Sequence, residues 1–227
     1  MDTKAFLGIE PSGVFGPTNG RWSMVVRPGL VTGGNFLWGG CGLAAAVAAI
    51  EELSGRTCVW ATAQYLSYAR TGETMDIDVT LAVVGHQITQ ARAVCRVGDR
   101  EILTVNAAVG ERPFEHSHSF VTMPDVPPPS ALEQREHRGD VSNTIHEKME
   151  ERFVIGRELE DLDGTPNDGR TLMWARIPEV IDGVDTATLA VLGDVVPMGV
   201  GQALGIRGGG NSLDNTLRVV RLVPTKW

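Results

Sequence analysis

The sequence contains only three cysteines in 227 residues, Cys41, Cys58 and Cys95. An odd number without CxxC spacing excludes a disulfide framework and gives no zinc signature, so we predict small core residues. Basic residues are also in deficit, since 20 Lys and Arg stand against 28 Asp and Glu, a formal net charge of −8. The chain therefore lacks the positive surplus from which binding to nucleic acid or to an anionic membrane is argued, and we predict neither partner.

Long apolar runs are absent as well. No stretch approaches the roughly 18 apolar residues of a membrane span, and the N-terminal segment MDTKAFLGIEPSG lacks the apolar core of a signal peptide. We expect a cytoplasmic protein. What is present is a hydrophobic content of 42% together with 27 glycines, which predicts a folded chain of one large domain or two ordinary ones.

The first half predicts a strand, a long helix and then four more strands. Residues 22–27 are strand-like, and the alanine-rich stretch 41–53, which Ser54 and Gly55 end, predicts a helix that is buried on most faces. Strand-like segments with hairpin-length separations follow at 58–69, 75–84, 87–97 and 101–110. This order predicts the α+β hotdog arrangement, in which an antiparallel sheet wraps around one central helix.

A change of composition separates this half from the rest. Residues 112–168 are polar and contain the run Pro127-Pro128-Pro129, which is typical of a semi-rigid linker. The Gly-Arg-containing stretch at 20–28 then recurs at 169–178, an offset of 149 residues (169 − 20). The repeat predicts a second unit built in the same order as the first.

The second unit is predicted to be shorter than the first. An apolar, helix-like stretch at 186–204, with a helix over about 195–204, and a strand at 213–223 repeat the opening order, but counterparts of the strands at 75–110 are missing. We therefore predict a double hotdog with an incomplete second unit. The predicted divisions are an N-terminal hotdog at 1–111, a linker at 112–168 and a partial C-terminal hotdog at 169–227.

Two motifs suggest a bound cofactor or metal, and neither is convincing. Residues 40–45 match GxGxxA, but the acidic residue that a dinucleotide fold needs about 20 residues later is absent, and tight packing of a small-residue helix explains the glycines better. His116 and His118 lie in the predicted linker without a third ligand nearby, and His86 is most simply a turn residue. We predict no cofactor and no metal.

Asp194 is the only acidic residue in the uncharged run 186–206. Burial disfavours a charged carboxylate, so such a residue either faces solvent or is held in the interior for a function. Pro197 suits a first helical turn, which makes Asp194 a candidate N-cap, and the composition alone leaves capping and catalysis equally open. Ser212 and Asp214 open the next predicted strand, where ordinary turn chemistry also accounts for them.

Short stretches spread over nearly the whole chain match one known pattern. In the first half they are Trp38-Gly39-Gly40, Gln64-Tyr65-Leu66, the hairpin around Gly85, Phe114-Glu115-His116 and Thr122-Met123-Pro124. In the second half they are Trp174-Ala175-Arg176, Leu192-Gly193-Asp194 and Ser212-Leu213-Asp214-Asn215-Thr216. Together they resemble the TesB-like acyl-CoA thioesterase II family of tandem double-hotdog proteins.

The resemblance implies a site and a reaction. In that family an aspartate at the start of the second-half helix acts with a hydroxyl residue that opens the next strand and with a glutamine in the last strand, and together they orient water against the thioester. The first two roles fall on Asp194 and Ser212. The glutamine would lie beyond Trp227, so the family domain is expected to be cut short here. The implied reaction is hydrolysis of an acyl-CoA to the free acid and CoA.

Two functions and one assembly remain as expectations. The first function is acyl-CoA hydrolysis, and the alternative is a non-catalytic acyl-CoA-binding or scaffold protein that kept the fold while losing part of the centre. An incomplete second unit would leave a strand edge and apolar helix surface uncovered, which predicts a homo-oligomer.

Overall fold

The elements below are those of a computed structural model, which describes residues 1–13, 15–116, 118, 120, 122–137, 139–208 and 210–227. The helices are α1 (Thr3–Leu7), α2 (Gly39–Ser54), α3 (Ile145–Lys148), α4 (Thr186–Leu192) and α5 (Val196–Leu204). The strands are β1 (Ile9–Pro11), β2 (Asn19–Val25), β3 (Cys58–Tyr65), β4 (Thr74–Val84), β5 (Ile88–Val97), β6 (Arg100–Gly110), β7 (Glu150–Ile155), β8 (Leu172–Arg176) and β9 (Asp214–Arg218).

Helix α2 lies against a seven-stranded sheet in the order β1-β2-β4-β5-β6-β3-β9. The predicted alternation in β4 is confirmed, because Met75, Ile77 and Val79 are buried in the core that α2 shares with the sheet. The small side chains of α2 allow the sheet to approach closely, so the helix is buried on most faces as predicted. The α+β hotdog arrangement of the first half is therefore confirmed.

The second half repeats the same order with β8, the helical pair α4 and α5, and β9. The apolar stretch at 186–204 forms two helices instead of one, and residues 193–195 form the turn between them. A proline in the first turn of α5 accounts for the break, because proline restricts the residue before it and cannot donate a helical hydrogen bond. Residues 219–227 form no strand.

Strands β3 and β9 join the two units into one sheet. Their antiparallel register pairs Thr62 with Thr216, and the two hydroxyl oxygens lie 2.9 Å apart. The register continues without a shift from Trp60–Arg218 to Gln64–Asp214. The two units therefore share one continuous sheet at this junction.

The segment 112–168 contains more structure than a linker was predicted to have. Its helix α3 buries Ile145 in the core, and its strand β7 pairs with β8 in a separate two-stranded sheet. Strand β7 was not predicted because two of its buried residues are Glu150 and Glu151. Arginines from other segments neutralise their charges. The division of the chain at 112 and 168 stays a prediction.

No helix within the described residues combines the length and apolarity needed to cross a membrane.

Self-association stays a prediction, and the second unit supplies its physical basis. Within the described residues β9 pairs only with β3, so its other edge is open, and nearby Val200, Leu213 and Val220 are more than half exposed. We expect the chain to sediment as a dimer or larger species at micromolar concentration, because open edges and apolar patches favour pairing. A monomer that also binds no apolar dye would contradict this expectation.

Candidate active site

Helices α2 and α4 pack side by side in opposite directions. At one end the hydroxyl of Thr186, the first residue of α4, donates to Oε1 of Glu51 near the end of α2, at 2.6 Å. At the other end the backbone N–H of Gly40, in the first turn of α2, donates to Oδ2 of Asp194 at 2.8 Å. The antiparallel packing therefore brings the residue after α4 to the start of the helix of the other unit.

Only glycine fits at position 40. A Cβ atom there would lie 2.5 Å from the carbonyl oxygen of Ala190 and 2.9 Å from the Cβ of Asp194. Real Cβ atoms do not approach backbone oxygens this closely, so the two helices owe their contact to the missing side chain.

The Asp194 carboxylate is held in place from two sides and is only 6% exposed. Besides the Gly40 N–H, the side-chain amide of Asn215 donates to its Oδ1 at 3.3 Å. Burial raises the pKa of Asp194, while the hydrogen bonds from Gly40 and Asn215 oppose that rise. A buried carboxylate at a helix N-terminus is stabilised by the helix dipole, which favours the charged form.

Capping of its own helix is the wrong interpretation of Asp194. The N-cap residue of α5 is Val195, and no side chain makes a capping hydrogen bond there. The turn at 193–195 instead directs the carboxylate across to α2, whose own N-cap residue, Trp38, makes no side-chain cap. Asp194 thus binds an N–H group of the first-unit helix.

Asp194 and Ser212 line the same cavity. The cavity has a volume of about 100 Å³ and lies between the two units. Its other walls are loops of the first unit and the segment before β9, with lining residues Thr32, Phe36, Leu37, Trp38, Gly39, Tyr65, Ser67, Tyr68, Gly210 and Asn211. Several water molecules fit in this volume, since one needs roughly 10–15 Å³. The structure therefore brings both predicted site residues together.

The hydroxyl of Tyr65 is a further polar group in this cavity. It is buried and has no hydrogen-bond partner among the described residues. Burial raises the pKa of Tyr65, with a further rise from the nearby charge of Asp194 and an opposing effect from the side chain of Asn215, so this phenol stays protonated at neutral pH. A protonated hydroxyl without a partner is a donor available to a ligand.

Sequence reasoning explained Gly40 by tight packing of its helix and assigned no role to Tyr65 or Asn215. Each of the three stands in a stretch that carries the family resemblance. Their roles depend on contacts between units separated by about 150 residues in the chain, which no local pattern encodes.

The other residues considered in the sequence lie away from this cavity. Asp214 begins β9 and is exposed, and His86 is exposed in the hairpin between β4 and β5. His116 and His118 are exposed, and the ring of His118 contacts Phe120. The three cysteines are buried and unpaired, as predicted.

The comparisons with known proteins agree with the fold. No protein-family model and no curated protein sequence matches the chain. A protein from Novosphingobium aromaticivorans, assigned provisionally as a thioesterase, is 28% identical with a TM-score of 0.76 over 91% of this chain and 79% of its own. A hotdog-fold protein of unknown function from Alicyclobacillus acidocaldarius is 18% identical with a TM-score of 0.78, over 92% and 75%.

A third solved structure is named for the family that the sequence resembles. The acyl-CoA thioesterase II TesB2 from Mycobacterium marinum is 16% identical with a TM-score of 0.69, over 98% of this chain and 80% of its own. At that identity the match concerns the fold. The chain therefore has the hotdog fold, and its structural neighbours are thioesterase II and TesB-like hotdog proteins, the family that its sequence resembles.

Proposed function

We propose that this protein hydrolyses acyl-CoA thioesters, with Asp194 as the general base. The observation that carries the proposal is the cavity in which a buried, oriented carboxylate and two hydroxyl groups converge. Convergent polar groups with a perturbed pKa in a concave site favour a catalytic function over a purely structural one. The thioesterase names of the structural neighbours support the same reaction class.

In the proposed mechanism a water molecule in the cavity gives its proton to Asp194 as its oxygen attacks the thioester carbonyl carbon. The carbonyl oxygen becomes an oxyanion in the tetrahedral intermediate. Collapse of that intermediate breaks the carbon–sulfur bond, and the proton returns from Asp194 to the CoA thiolate. Each carboxylate oxygen has two lone pairs, so Asp194 can accept the water proton while it keeps its hydrogen bonds to Gly40 and Asn215.

Ser212 and Tyr65 have distinct roles in this mechanism. The Ser212 hydroxyl orients the water, as the family resemblance implies. The Tyr65 hydroxyl, which lacks a protein partner among the described residues, donates to the oxyanion.

The experiment that tests the proposal is release of free CoA thiol from acyl-CoA substrates of short, medium and long chain. We expect turnover with at least one chain length. Saturable acyl-CoA binding without thiol release would favour the non-catalytic alternative, in which the fold binds the ligand and the centre no longer turns it over. Neither binding nor release with any chain length would contradict both functions.

Removal of either hydroxyl should slow hydrolysis without abolishing it. We expect Ser212→Ala and Tyr65→Phe each to lower kcat by roughly 10-fold, because water replaces part of a lost hydroxyl and the remaining donors stay in place. Ser67→Ala is the matched control, since Ser67 lines the same cavity and has no proposed role. Steady-state kinetics measures kcat for each variant. An equal loss of kcat in the Ser67→Ala control would contradict the assigned roles.

A further inference from the structure

A second cluster of ionisable side chains lies outside the proposed active site. It consists of His137, His146 and Glu151, and one potential ligand atom from each lies within 4.8 Å of the others. Glu151 belongs to β7 and is only 1% exposed, whereas the two histidines are half-buried. The cluster joins the segment before β7 to the two-stranded sheet.

Two polar atoms that face each other in this cluster are unsatisfied. Within the described part of the chain, Oε1 of Glu151 and Nδ1 of His146 are buried and have no hydrogen-bond partner. They lie 3.8 Å apart, which is too long for a direct hydrogen bond. Buried polar groups in native proteins nearly always have partners, and an atom bound between these two would give a partner to each.

The other groups around Glu151 leave Oε1 free for such an atom. The guanidinium of Arg135 binds the opposite oxygen, Oε2, at 2.5 Å, and also pairs with Glu158 at 2.9 Å. Among the residues that the structure describes, one guanidinium thus pairs with two carboxylates, which favours a cation at the remaining oxygen. Arg135 also fixes the orientation of Glu151, as groups behind metal ligands commonly do.

The spacing of the three side chains suits a transition-metal ion. Nδ1 of His146 lies 3.8 Å from Oε1 of Glu151, and one ligand atom from each of the three side chains lies within 4.8 Å of the others, so small side-chain shifts bring them around one ion. Adjacent ligands of a tetrahedral zinc ion with bonds of about 2.1 Å are about 3.4 Å apart. Two histidines and one glutamate form a known zinc ligand set that leaves a fourth position for water.

We propose that His137, His146 and Glu151 bind one divalent transition-metal ion of the zinc class. The ion holds the segment at 137–146 against β7. The His146 ring also contacts Trp38, with ring centroids 5.4 Å apart, and Trp38 lines the cavity that contains Asp194. The metal site therefore supports one wall of the proposed active site.

Metal titration of the chelator-treated protein tests this proposal. We expect one Zn²⁺ per chain by calorimetry, a visible absorption spectrum of tetrahedral type with Co²⁺, and a higher Tm when Zn²⁺ is present. His146→Asn should weaken Zn²⁺ binding by roughly 100-fold or more, because loss of a direct ligand costs at least as much as loss of a group behind one. The Co²⁺ spectrum is measured on the parent chain, so it tests the site without any substitution.

Matched controls separate this site from adventitious histidine binding. His86→Asn and the double variant His116→Asn/His118→Asn remove exposed imidazoles elsewhere and should leave the affinity unchanged. The metal-free Tm of His146→Asn should equal that of the metal-free parent, which excludes misfolding. Absence of saturable binding at one equivalent, or binding that survives His146→Asn but not a control substitution, would overturn the proposal.

Discussion

Asp194→Asn is expected to lower kcat for CoA release by roughly 10²- to 10⁴-fold, the range typical of a lost general base. An asparagine oxygen still accepts the Gly40 N–H, so the contact between the two units should survive the substitution. The KM should change little, because the lost interaction acts in the transition state. The measurement is steady-state thiol release by the parent and by the variant.

The pH dependence of the same reaction gives a second readout. The base must be ionised, so kcat should rise with pH as Asp194 loses its proton. Burial raises the pKa of Asp194, so the midpoint of this rise should lie above that of an exposed aspartate. Asp194→Asn should remove the dependence from the residual activity.

Folding stability should respond in the opposite direction. Because the folded-state pKa of Asp194 lies above its unfolded value, its stabilising contribution is complete below the unfolded pKa and is lost as pH rises through the folded pKa. At neutral pH, Asp194→Asn should therefore leave the free energy of unfolding unchanged or raise it. Full activity in a stable Asp194→Asn variant would overturn the base assignment and leave the fold unaffected.

Gly40→Ala is expected to lower both stability and activity although it adds a single methyl group. The new Cβ would meet the carbonyl oxygen of Ala190 at 2.5 Å and that of Val191 at 2.9 Å, and these are backbone atoms that cannot rotate away. Separation of the helices should cost about 1–3 kcal/mol in the free energy of unfolding. Displacement of Asp194 by about 1 Å should lower kcat by roughly 10²-fold.

Gly42→Ala is the matched control on the same helix. The nearest atoms to its Cβ would be the side-chain ends of Leu103 and Leu37, at 3.2 Å and 3.5 Å, and not backbone atoms. Alanine is also the better helix former by roughly 0.5–1 kcal/mol, so this variant should lose less stability than Gly40→Ala. Chemical denaturation and thiol release measure both effects. Equal behaviour of the two variants would contradict the role assigned to the Gly40 contact.

The residues that sequence reasoning predicted well are those whose structure depends on local periodicity. In β4, Met75, Ile77 and Val79 alternate with polar residues. In a half-buried strand this pattern allows only the apolar face to pack against the core. The strand β7 was missed because Glu150 and Glu151 are buried by pairing with distant arginines, which inverts the usual relation between charge and exposure.

The candidate site was also predictable only in part. Asp194 stood out as the lone acid in an apolar run, and Ser212 was identified from the resemblance of its stretch to the thioesterase family. Neither signal predicted that Asp194 binds Gly40 of the other unit, because that contact requires α4 to run antiparallel to α2.

By itself the sequence determined strands β2 to β6 and the buried alanine-rich helix, since these follow from the spacing of apolar and small residues along the chain. Only the tertiary structure decided which atoms hold the Asp194 carboxylate, why position 40 is glycine, and which histidines face Glu151. The physical reason is that burial, hydrogen-bond geometry and steric exclusion arise between segments far apart in the chain, where local propensity carries no information.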